Sequence, residues 1–183
     1  MMTLNRSQQT LLALWIVATI VGWVVGFYAC EVIKHFISTV FTDGLVIGTA
    51  IGLAQWVVLR RRIAPIGWWV AASIVGFGAA KAVAQLVLSG APGVPPLASS
   101  AITGVLIGLA VGILQGLLLR RHGSGGLRWI VANVLGWGLG WIAIGSVGES
   151  SDASAYIVGA AGAAIAAVIT GYVLVTDLGP RAA

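Results

Sequence analysis

Six long apolar runs dominate this chain, and nearly all of its charges fall in the gaps between them. The runs are Leu11–Cys30, Ile37–Leu59, Ile66–Leu88, Leu97–Leu119, Trp129–Val147 and Ala155–Val175. A helix needs about 20 mostly apolar residues to cross the hydrocarbon core of a bilayer, and these runs meet that length. The chain is 59% hydrophobic and 8% charged, against about 25% charged residues in a soluble domain. Too few polar side chains remain to cover a water-facing surface. The runs are apolar all round, whereas a transmembrane β-strand alternates apolar and polar residues. The pattern predicts an all-α polytopic membrane protein of six spans, with residues 1–183 as a single integral membrane domain.

The arginines predict its orientation, because cytoplasmic loops retain Lys and Arg. Arg6, Arg60, Arg61, Arg62, Arg120, Arg121, Arg128 and Arg181 all fall on one side of a six-span zigzag. The opposite side holds Lys34 with Glu31, Glu149 and Asp152. Both termini are therefore expected in the cytoplasm, and the protein in the cytoplasmic membrane of a bacterium. The net charge of +5 needs no nucleic acid: loop topology and attraction to anionic lipid headgroups account for it. The first run exceeds the 7–15 apolar residues of a secretory signal and reads as a retained helix. A single cysteine excludes an internal disulfide and a cysteine-based metal cluster.

The runs repeat. Gly44–Arg61 reads GLVIGTAIGLAQWVVLRR and Gly104–Arg121, sixty residues on, reads GVLIGLAVGILQGLLLRR; nine of the eighteen positions are identical. WVAASIVGFG from Trp69 matches WIVANVLGWG from Trp129, and WIVATIVGWV from Trp15 is a third version. Each carries Trp, then a small polar residue (Thr19, Ser73, Asn133), then Gly (Gly22, Gly76, Gly136). The unit is a two-helix hairpin, repeated over approximately 11–62, 66–122 and 127–177. Two crossings return the chain to its starting side, so the three units are parallel repeats. The simplest closed arrangement is a pseudo-threefold bundle of six helices.

Residues four apart share a helix face. Gly44, Gly48 and Gly52 form one such face, and Gly104, Gly108, Gly112 and Gly116 another. Bare glycine lets helix backbones approach closely in lipid. These faces either pack within the bundle or form a seam for a partner subunit. Tryptophan belongs at the membrane interface, which is where Trp15, Trp68, Trp69 and Trp129 are expected. Trp23, Trp137 and Trp141 lie deeper and are expected to fill grooves.

Polar residues inside a span mark candidate sites. Gln55 and Gln115 occupy matching positions before the arginine pairs, and either bond across helices or line a vestibule. Lys81 is not supplied by the repeat, since its counterparts are Phe27 and Trp141. At 1.5 Å per residue it lies about 10 Å below the outer end of its helix, and Asp43 lies at about 9 Å. Matched depth and opposite sign predict a Lys81–Asp43 pair, with Glu31 the alternative partner. Ser73, Phe77, Lys81, Gln85 and Ser89 also share one largely polar face.

No metalloprotease, nucleophile-elbow, Walker or dinucleotide-binding motif occurs, so a non-enzymatic protein is expected. No cofactor is predicted; bound lipid is. The helices ending in Q-x-x-x-L-R-R, and the W-x-x-A helices with a central glycine, resemble uncharacterised small multi-pass membrane proteins of bacteria. That resemblance implies a membrane fold and no activity. Two functions fit. The first is an accessory or scaffold subunit, presenting glycine and tryptophan faces to other membrane subunits or to further copies of itself. The second is a small transporter or channel with Lys81, Gln85, Asp43, Gln55 and Gln115 along a central path.

Overall fold

A computed structural model describes residues 4–36, 39–60, 62–63, 67–121, 125–146 and 152–178. Arg61, His122, Glu149 and Arg181, the run ends Ile37, Ile66 and Val147, and the side chain of Asp152 lie outside the described residues. The chain forms helices α1 (Arg6–Ile33), α2 (Val40–Leu59), α3 (Trp68–Ser89), α4 (Pro96–Arg120), α5 (Gly126–Ser146) and α6 (Asp152–Asp177). All six are long and apolar enough to cross a membrane.

Local chemistry sets several of the ends. The first apolar run starts at Leu11, yet α1 starts at Arg6, because Asn5 and Gln8 form a reciprocal capping box. The Thr39 side chain caps α2 by accepting from the Thr42 N–H. Pro96 opens α4, where its missing N–H costs nothing.

Each helix packs on the helix before it and the helix after it, and α6 returns to α1. The six thus close into a ring. The glycine faces lie in its seams. A Cβ added at Gly48 would fall 2.6 Å from the Ser73 carbonyl oxygen on α3, and one at Gly44 would fall 2.7 Å from that of Phe77. On the α4–α5 seam, a Cβ at Gly108 would fall 2.6 Å from Val134 Cα. Gly22 approaches Ile51 on α2, Gly76 approaches Val111 on α4, and Gly136 approaches Ala166 on α6. Close backbone approach of this kind supplies the packing that lipid, itself apolar, does not drive.

Large side chains fill the axis that such a ring encloses. Trp15, Trp69 and Trp129 are each at most 1% exposed. They meet one another edge-on or tilted, with ring centroids 6.0, 5.9 and 5.6 Å apart. This corrects the expectation of an interfacial belt: of the four tryptophans assigned to it, only Trp68, 71% exposed, lies on the surface. The interface preference yields to the larger apolar burial available on the axis. Eight residues further along, about 12 Å on, Trp137 meets Phe77 at 5.0 Å and Trp23 at 6.3 Å. The outside of the ring carries Leu14, Val17, Leu53, Val57, Leu109 and Leu135, all exposed. An aliphatic exterior on six spanning-length helices is the surface of a multi-pass membrane protein.

Candidate functional site

Between the two aromatic layers runs a hydrogen-bonded belt. Thr19 and Ser73 each donate a hydroxyl to the carbonyl four residues back, that of Trp15 and Trp69, and the Asn133 amide does the same to Trp129. The even-numbered helices then bridge their neighbours. Gln55 Nε2 donates to Thr19 Oγ1 at 3.1 Å, and Gln55 Oε1 accepts from Trp69 Nε1 at 3.0 Å. Gln115 Nε2 donates to Ser73 Oγ at 3.0 Å. Trp15 Nε1 donates to Thr170 Oγ1 on α6 at 3.1 Å.

Gln55, Gln115 and Ser73 therefore hold helices together, with an aromatic layer on either side of them along the axis. Thr170 was not singled out from the sequence. It lies as far beyond Gln115 as Gly159 and Gly171 lie beyond Gly104 and Gly116, so alignment on the glycines finds it. One position breaks the belt: Trp129 Nε1 is buried without a partner among the described residues.

The axis opens at the end formed by the last turns of α1, α3 and α5 and the first turns of α2 and α6. Here the layer is Phe27, Lys81 and Trp141, with a lysine where the other two helices carry rings. The Lys81 ammonium lies 4.9 Å from the centroid of the Trp141 ring, within cation–π range. Beyond it is a cavity of about 240 Å³. Its polar wall is Lys34, Asp43, Lys81 and Cys30, and its apolar wall includes Phe27, Ile47, Ile144 and Val158. Trp23 and Trp141 also line it, and both indole nitrogens are buried with no partner among the described residues. An unsatisfied buried donor costs about 1–3 kcal/mol, so two in one wall are unusual.

The direct Lys81–Asp43 pair is not formed. Among the described residues the ion pairs are Lys34–Glu31 at 2.6 Å and Arg128–Asp177 at 2.7 Å. Equal depth sets the height of a side chain but not its angle about the axis, and the two charges face one cavity without meeting. Glu31, the alternative partner, is taken by Lys34. Their hydrogen bond holds the Lys34 ammonium above the usual lysine range, against a smaller opposing effect of burial. Asp43 lies in the first turn of α2, where the helix dipole favours a carboxylate. The polar face of α3 divides: Ser73 and Phe77 are buried, Lys81 reaches the cavity, and Gln85 and Ser89 are exposed. The structure thus unites Lys81 with Asp43, places Gln55, Gln115 and Ser73 in the belt, and leaves Gln85 outside.

Comparison of the chain with protein-family models, with curated proteins and with solved structures gave no match.

Proposed function

We propose that this is a non-enzymatic, solute-binding membrane protein of the transporter class. In this reading its cavity is open at one end of the bundle axis, and the aromatic layers seal the other. We further propose that it is built as three parallel two-helix hairpins about a pseudo-threefold axis. Supporting this, each layer draws on matching positions of the repeat: Trp15, Trp69 and Trp129; Trp23, Phe77 and Trp137; Phe27, Lys81 and Trp141. The arginines on the sealed side argue for cytoplasmic termini in a bacterial cytoplasmic membrane, with the cavity facing outward.

The observation that carries the functional reading is Lys81. A lysine within a span is costly and is a functional candidate by default. This one departs from an aromatic position, has no carboxylate of the described residues within ion-pair distance, and faces a cavity. The scaffold reading relies on glycine and tryptophan faces, and those faces, Trp68 apart, are taken up inside the ring. Native mass measurement in mild detergent, paired with flux assays in liposomes, tests the proposal. A monomer or homo-oligomer that moves a solute supports it. A stable complex with different subunits and no flux supports the scaffold instead.

A further inference from the structure

The cavity wall sorts its polar groups in a way that selects a ligand. Lys34 is neutralised by Glu31, 2.6 Å away. Among the described residues that leaves one cation, Lys81, and one anion, Asp43, facing the same space without an ion pair between them. Trp23 and Trp141 form part of the wall, with the Lys81 ammonium 4.9 Å from the centroid of the Trp141 ring. The rest of the wall is largely apolar.

We infer that the cavity takes a small zwitterion with an apolar side group, of the aliphatic amino acid type. Its carboxylate accepts from Lys81 Nζ, its ammonium meets Asp43, and its side group packs on Phe27, Ile47 and Ile144. Charge balance favours this over a simple anion or a simple amine. A lone carboxylate would satisfy Lys81 and be repelled by Asp43; a lone amine would do the reverse. A zwitterion answers both charges. A volume of about 240 Å³ suits a molecule smaller than the drug-sized ligands of 300–1,000 Å³ pockets.

This inference rests on the solute-binding reading, and its test separates the two. Tritiated L-leucine is bound to the purified full chain in a scintillation proximity assay. The competitors are unlabelled leucine, 4-methylpentanoate (the same skeleton without the amine) and 3-methylbutylamine (without the carboxylate). Leucine is expected to bind, with each half-ligand weaker by on the order of tenfold or more, since a site built for a polar group rejects the analogue lacking it. Lys81→Met and Asp43→Asn should each abolish leucine binding, and Lys81→Arg should retain it. Asp43→Asn should in addition bind 4-methylpentanoate better than the native chain does. Methionine suits a position that carries Phe27 and Trp141 in the other helices, and Asp43→Asn gives an independent reading should Lys81→Met fail to fold. The inference is overturned if leucine does not bind, if 4-methylpentanoate competes as well as leucine, or if neither variant weakens binding. Liposome flux of some other solute without leucine binding would overturn this inference alone.

Discussion

Gly108→Ala probes the closest helix seam. The new Cβ would lie 2.6 Å from Val134 Cα and would also meet the Asn133 carbonyl oxygen, both backbone atoms that cannot rotate away. Ordinary contact begins at 3.4 Å, so α4 and α5 must part by at least about 0.8 Å. Overpacking of this kind costs about 1–3 kcal/mol, and a rigid backbone neighbour argues for the upper end. Alanine recovers up to about 1 kcal/mol of helix propensity, leaving a net loss of about 2 kcal/mol. Gly138→Ala on the same seam is the control. Its Cβ would meet only Val105 Cγ2, at 3.4 Å, so it keeps the propensity gain. The two variants should differ by about 3 kcal/mol, which corresponds to a Tm gap on the order of 6–12 °C for a chain of this size. Size-exclusion chromatography after stepwise heating in detergent measures it. Equal Tm values would refute the close-contact reasoning.

Five further substitutions test the belt and the surface. Trp15→Phe, Trp69→Phe and Trp129→Phe each open a similar cavity in the core, but only the first two break a buried hydrogen bond, the Trp129 indole nitrogen having no partner among the described residues; each of the first two should therefore cost about 1 kcal/mol more than the third in the same heating assay. Gln55→Leu removes both bridges and strands the Trp69 donor, for a loss of about 1–3 kcal/mol, read as a lowered Tm. Arg128→Ala breaks the pair with Asp177 on a mostly exposed arginine, and solvent screening should hold its cost below about 1 kcal/mol, a shift of a few degrees at most.

The span count was legible because lipid imposes it: each run had to be long, apolar and flanked by charge. Lys81 was legible as a departure from Phe27 and Trp141, since the repeat supplies its own reference. The inward tryptophans were not, because the interface rule describes an isolated helix, and Trp15 sits in a ring with an axis to fill. A signal was present: Trp15, Thr19, Trp23 and Phe27 are four apart, and the same row recurs on α3 and α5. The missing Lys81–Asp43 pair shows the limit of depth arithmetic, which carries no angular information. Thr170 escaped notice because threonine replaces glutamine in the most divergent helix, although it still accepts from the Trp15 indole.

The central claim is a cavity at one end of a sealed axis. Replacing Cys30, the chain's single cysteine, by alanine gives a background for Lys81→Cys and, separately, Ser73→Cys. Each is exposed to a bulky membrane-impermeant methanethiosulfonate in right-side-out and in inverted vesicles. The account predicts reaction at position 81 from the outer side only, and no reaction at position 73 from either side. Reaction at 81 from the cytoplasmic side, or equal reaction at both positions, would contradict it.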